Sequence, residues 1–360
     1  YFAEVKSAWA FVYPNAATTG GPSGELCLGQ RDYVTGVTGD GGWVRLGLGG
    51  WIPAGDVKRE MSAGALSNRL ESAEYRTEDA RWDLLTLSGS AATATQTAYD
   101  GKALTLTVTA AAAAPAPSLP TGTPFSDVKA SLSEGKAVYT LTLKAGVVLD
   151  GYYVTAEGGK LVLHIKKHPQ AAAGATPLTG FTILLDPGHG GDESGALSPL
   201  PALPEKTVNL YTALKVKKEL EALGATVLLT RSEDVTLSLA KRVEASRALR
   251  PDLFLSIHGN SVDDSTDATN IYGISSWYRE AVSLNGAESL YKSVQAALGR
   301  GARRANQSNL YVCRPCWTPS VILETGFLCN PGEADWMADN QAQNKLAAAI
   351  AQAVAGFFRG

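Results

Sequence analysis

Apolar and polar positions alternate with a period of two through the first 170 residues, whereas beyond residue 180 short apolar runs are separated by helical stripes. Residues 1–60 read as short strands around tight turns: Tyr33 to Val37, the turn Gly39-Asp40-Gly41-Gly42, Trp43 to Leu46, and Trp51 to Pro53 after Gly49-Gly50. A glycine-rich hairpin between alternating strands predicts a small β-barrel. Trp43 and Trp51 suit the core of such a barrel and a ligand-binding face equally well. Over 61–170 the alternation in Leu104 to Val108, Val138 to Leu143 and Leu161 to Ile165 predicts a sandwich-like β-domain, interrupted by an Ala/Pro-rich loop from Ala110 to Pro117. The small-residue stretch from Ala171 to Pro177 predicts a linker over 171–179.

The pattern then changes. Phe181 to Leu185, Leu253 to Ile257 and Val321 to Leu323 are short apolar runs of the kind expected for strands covered on both faces. Between them Leu210, Ala213, Val216, Leu220 and Leu223 share one helical face, closed by Gly224 and followed by the strand Ala225 to Leu229. Further helices are predicted from Leu239 to Leu249 and near 285–299 and 341–358. The expected fold is therefore multidomain: all-β modules over 1–60 and 61–170, then an α/β domain over 180–360 with an open, mostly parallel sheet. Ligands of such sheets bind at the carboxyl ends of the strands.

Three apolar runs deliver a chemically competent residue to that edge. The first leads into Asp186-Pro187-Gly188-His189-Gly190-Gly191, the second into His258, and the third into Glu324. Two histidines on one rim suggest zinc, and a catalytic zinc keeps three protein ligands with one position open. Glu205 is the best third ligand. It follows the Pro-rich loop from Leu197 to Pro204 and opens a helix, where the dipole favours a carboxylate. Glu324 is left as general base, accepting a proton from the attacking water and passing it to a leaving amine. Asp186 and Asn260 are candidates for tying down the histidine turns, although ordinary turn chemistry would explain them equally.

Composition narrows the alternatives. The 360 residues carry a formal net charge of -3 and 45% hydrophobic residues, enough for two or three cores and without a global bias toward nucleic acid. Cys27, Cys313, Cys316 and Cys329 are too few for a disulfide scaffold. Cys313-Arg314-Pro315-Cys316 lacks a second pair to complete a zinc knuckle, so a local disulfide or two thiols are expected there. His164 and His168 have no evident acidic or cysteine partner and read as surface residues. No apolar run approaches a membrane span, and a chain opening on Tyr1 without a charged or apolar leader fits removal of a signal or anchor.

Three resemblances follow from these residues. Gly42-Trp43-Val44-Arg45-Leu46 with Gly50-Trp51-Ile52 resembles bacterial SH3-like domains, which often accompany cell-wall enzymes, and 61–170 resembles β-domains that target amidases to the envelope. Residues 180–358 resemble the zinc-dependent N-acetylmuramoyl-L-alanine amidases of the amidase-3 family. The likeness rests on Leu185 to Gly191, Glu205 with Asn209, Thr230-Arg231, Ser256 to Asn260, Leu323 to Phe327 and Asn330-Pro331. It implies zinc held by His189, Glu205 and His258, acid-base chemistry at Glu324, and cleavage of the bond between N-acetylmuramic acid and the L-alanine of the peptidoglycan stem. It also implies an autolysin-like, secreted or wall-associated protein, with wall or envelope-protein contact through the β-domains. Gly259 departs from the family's usual Ala or Ser, and Cys329 from its serine. No acidic blocking helix is evident from Ser261 to Gly286, so an open site is expected. The competing readings are a non-catalytic wall-binding protein and a zinc peptidase cutting another stem amide.

Overall fold

The computed structural model describes residues 1–61, 64–199, 203–263 and 265–359, so part of the Pro-rich loop before Glu205 lies outside the described residues. The chain divides into two compact units, Tyr1–His168 and Pro169–Gly360.

The first unit is all-β. Five strands pair in the order Trp51–Pro53, Trp43–Leu46, Arg31–Val37, Phe2–Val5 and Val57–Glu60, and Trp9–Val12 pairs with Gly24–Cys27 in a separate ribbon. Alternation turns Ala3, Val5, Val44, Leu46 and Ile52 into one small core. Two four-stranded antiparallel sheets follow, one containing Ala103–Val108 and Lys136–Leu143, the other Trp82–Gly89 and Lys160–Lys167. Ring contacts Tyr75–Phe125 and Tyr99–Tyr152, at 5.9 and 6.3 Å, join the two sheets. The barrel-like region is continuous with them: Ala94 lies in its core, and Arg31 exchanges backbone hydrogen bonds with Ala92 and Ala94.

His168 departs from the sequence expectation. It is half-buried, with Nδ1 2.9 Å from Asp150 Oδ1, because the hairpin Leu149–Glu157 and Lys160–Lys167 folds a residue 18 positions earlier against it. His164 stacks on Tyr153 with centroids 4.4 Å apart.

The second unit is α/β. In chain order it comprises β1 (Thr182–Pro187), α1 (Glu205–Ala222), β2 (Thr226–Leu229), α2 (Leu239–Leu249) and β3 (Leu253–Asn260). There follow β4 (Ile274–Tyr278), α3 (Leu284–Leu298), β5 (Ala302–Gln307), β6 (Ser320–Phe327), α4 (Pro331–Ala338) and α5 (Asn340–Phe357). The sheet order is β2-β1-β3-β6-β4-β5. All neighbouring pairs are parallel except β4 with β6. Odd-numbered residues such as Ile183, Leu185, Leu255, Ile257 and Leu323 pack with α1, α3 and α5, while Leu184, Phe254 and Ile322 pack with Val312 and Cys313 on the other face. Both faces being covered explains the unbroken apolar runs.

The stretch expected as a linker belongs to this unit. Ala171 N–H donates to Phe358 O, and Leu178 is fully buried with its N–H on Leu223 O. Helix α4 was not evident from the sequence. No helix among the described residues is long and apolar enough to cross a membrane.

Candidate metal centre

Parallel pairing brings the carboxyl ends of β1, β3 and β6 to one edge, with His258 opposite Glu324 in register. His189 follows β1 by two residues and has φ +57, a left-handed backbone that non-glycine residues rarely adopt. The imidazole is thereby turned back over the sheet edge. Gly188 precedes it because no side chain fits: a Cβ there would lie 2.2 Å from the His258 ring.

Glu205 opens α1 and is 4% exposed, so its oxygens must be satisfied internally. Its Oε1 accepts from Asn209 Nδ2 at 3.0 Å and Gly259 N–H at 3.1 Å, and lies 2.8 Å from His258 Nδ1. Oε2 accepts from Ala196 N–H at 2.8 Å and lies 3.1 Å from His189 Nε2. Burial works against the carboxylate charge, but the bonds and charges of His189 and His258 outweigh it and hold Glu205 well below the usual carboxylate range. For His258, burial opposes the charged ring, yet the Glu205 bond and the negative field of Glu205, Glu324 and Asp186 raise its pKa. One ligand atom from each of His189, Glu205 and His258 lies within 4.8 Å of the others, a group able to hold a metal ion.

Glu324 is the counterpart of opposite sign. Desolvation pushes its carboxyl up to about 7, against the lowering effect of His258, and Glu205 adds to the rise. Its Oε2 is buried without a hydrogen-bond partner. An orphaned oxygen beside three converging ligand atoms marks where a further group belongs.

The family model for N-acetylmuramoyl-L-alanine amidases of the amidase-3 type matches residues 183–356. The chain is 34% identical to YqiI of Bacillus subtilis over 187 residues, which cover 52% of this chain and 89% of that protein. The chain belongs to the amidase-3 family. It is also 36% identical over 183 residues to the N-acetylmuramoyl-L-alanine amidase LytC of B. subtilis, covering 51% of this chain but 36% of LytC. The catalytic domain of CwlV from Bacillus (Paenibacillus) polymyxa var. colistinus is 34% identical, covers 49% of this chain and 97% of that one, and superposes with a TM-score of 0.46.

Within this amidase-3 domain the remaining sequence candidates divide. Asp186 is buried and accepts from Thr230 Oγ1 at 2.6 Å, Ser256 Oγ at 2.7 Å and Arg242 Nη1 at 2.6 Å, so it anchors the end of β1. The Asn260 side chain instead accepts from Ser261 N–H at 2.8 Å and stays with its own loop. The carbonyls of the His189 turn are held by Arg231 and Arg242. Arg242 was missed, because a charged residue inside α2 reads as solvated; its place beside Val243 and one turn before Ser246, both buried, was the available signal. Ser275 was missed as well. It pairs with Glu324 across β4 and β6, and its hydroxyl is buried without a partner.

Asn330 caps α4 and donates to Ala268 O, Thr269 O and Ile271 O, fixing the loop before β4. Glu333 accepts from Gly273 N–H and Phe327 N–H and pairs with Arg300. All four cysteines are free thiols, so the C-x-x-C pair is not a disulfide, and burial pushes Cys313 up to about 12, which leaves it no reactive thiolate.

Proposed function

We propose that the chain hydrolyses the amide between N-acetylmuramic acid and the L-alanine of the peptidoglycan stem, with zinc held by His189, Glu205 and His258. The observation that carries this reading is the convergence of those three ligand atoms, with the orphaned Glu324 oxygen on the adjacent strand, inside an amidase-3 domain. A His/Glu/His donor set leaving a fourth position open is the composition of a catalytic zinc. When bound, zinc lowers the pKa of a coordinated water to about 7 and polarises a carbonyl.

The chain's own residues do the rest. Glu205 keeps both histidines oriented and stays ionised. Glu324, its pKa near neutral, takes one proton from the attacking water and returns one proton to the departing amide nitrogen. The second water proton stays on the new lactyl carboxyl and is lost to the solvent or to the amine, so the products are a lactyl carboxylate and a new L-alanine amino terminus, and Glu324 ends as it began.

The domain division we propose is an SH3-like barrel over 1–60, a β-sandwich-like domain over 61–170 and the amidase over 180–360, with 171–179 packed onto the amidase. The glycine-rich hairpin and the five-stranded antiparallel sheet support the first of these. We further propose that the β-modules contact wall or an envelope protein and that the enzyme acts outside the cytoplasm, where its substrate is.

The test uses purified peptidoglycan. New L-alanine amino termini should appear, disappear with a chelator and return with zinc, and Glu324→Gln should lower the rate about 10²–10⁴-fold while zinc stays bound. Amino termini of another stem residue would instead identify a peptidase. Equal turnover by wild type and variant, indifferent to chelator, would exclude catalysis at this centre.

A further inference from the structure

The turn that carries His189 is an unfavourable piece of backbone. The left-handed backbone of His189 is strained for a residue with a side chain, and the carbonyls of Pro187, Gly188 and His189 need donors in a place mostly closed to water. Two arginines from outside the ligand-bearing segments supply them. Arg231, 3% exposed, donates from Nε to Pro187 O at 3.0 Å and from Nη2 to Gly188 O at 2.8 Å. The same Nη2 donates to Lys206 O at 2.9 Å, and Nη1 to Glu233 O at 3.1 Å. Arg242, 2% exposed, donates from Nη1 to Pro187 O at 2.8 Å and to Asp186 Oδ1 at 2.6 Å. Its Nη2 donates to His189 O at 2.8 Å, and its Nε to Leu237 O at 3.1 Å.

Gly188 adjoins His189, and Lys206 adjoins Glu205. One guanidinium therefore spans the peptide groups beside two of the three ligands, while a second grips the carbonyls on both sides of the turn. The arrangement is expensive as core packing. Two cations lie close enough to disfavour one another, and among the described residues only Asp186 touches either with a carboxylate. A planar fork with several fixed donors does something a hydrophobic side chain cannot: it fixes the separation and tilt of two backbone segments at once.

We propose that Arg231 and Arg242 are positioning residues of the metal centre, holding the His189 turn and the start of α1 in ligand geometry before an ion binds. The inference rests on the metal reading given above. It assigns neither arginine a contact with metal or substrate. Lysine in either place keeps the charge and loses the fork, so zinc affinity should fall although the fold survives.

The full chain is stripped of metal, and its zinc affinity is measured by competition with a chromogenic chelator for wild type, Arg231→Lys and Arg242→Lys, alone and combined with His189→Ala. Each lysine variant should bind zinc about 10–100-fold more weakly, the loss typical of groups that orient a ligand. In the His189→Ala background the Arg242→Lys effect should vanish, because the turn it holds then carries no ligand to position. Unchanged affinity, or an equal loss in both backgrounds, would overturn the proposal. A wild type that binds no zinc would instead sink the metal reading itself. A measurement on the unaltered protein covers the case in which both variants unfold: amide exchange at residues 188–191 and 205–206 should stay slow when zinc is removed. Protection that collapses there on chelation would show that the ion, not the arginines, forms the turn.

Discussion

At the scale of single residues the site is built on two glutamates driven in opposite directions. Glu205 is surrounded by donors and stays ionised; Glu324 has a buried oxygen without a donor and is raised to about 7 by desolvation. An unfolded glutamate titrates near 4.3, so between about 4.3 and 7 the folded, metal-free protein binds the extra proton at Glu324. Its contribution to stability is complete below about 4.3 and is lost as pH rises through 7. Glu324→Gln removes that loss. In chelator-treated protein the variant should melt at a higher temperature than wild type at pH 8 and at the same temperature at pH 4. A difference that did not depend on pH would contradict the burial of an unpaired carboxyl. Both glutamates were legible in the sequence as residues at a strand end and a helix start. Their roles as ligand and base could be proposed from those places, but the opposite shifts of their pKa values could not, since these follow from the groups that surround each one.

Elements act here through what they exclude and what they cap. Gly188 lies where a Cβ would meet the His258 ring at 2.2 Å, whereas a Cβ on Gly259 would touch the flexible tip of Met337 at 3.2 Å. Gly188→Ala should therefore weaken zinc binding by roughly 10-fold or more, while Gly259→Ala, the residue usual in the family, should leave it within about 2-fold. Comparable losses for both would mean that the two turns are equally tight. Helix α4 offers a second case. Asn330 caps it by accepting from Glu333 N–H and also holds three carbonyls of the loop before β4. Replacing it with alanine should cost about 1–3 kcal/mol in urea unfolding. A cost near zero would show that water replaces those bonds freely. Asn330-Pro331 was visible in the sequence, but the helix it starts was not, because eight residues carry too little periodicity to stand out.

For the whole molecule, all three ligand candidates, Glu324 and the two arginines lie between residues 169 and 360, around a core shared by β1, β3, β6 and helices α1, α3 and α5. Residues 169–360 alone should unfold cooperatively and bind zinc within about 3-fold of the full chain. A fragment that stays unfolded would show that the first unit is needed to complete the second. What the sequence determined by itself was whatever depends on local chemistry: period-two strands in the first half, doubly apolar strands in the second, and strand ends that carry His189, His258 and Glu324. Parallel strands must align their carboxyl ends, so that convergence could be read before the structure. The tertiary fold decided the rest, because partners far apart in the chain are chosen by packing and not by spacing. It brought Asp150 to His168, seated Arg242 on the carbonyls of a turn 53 positions away, and left the Glu324 oxygen without a donor.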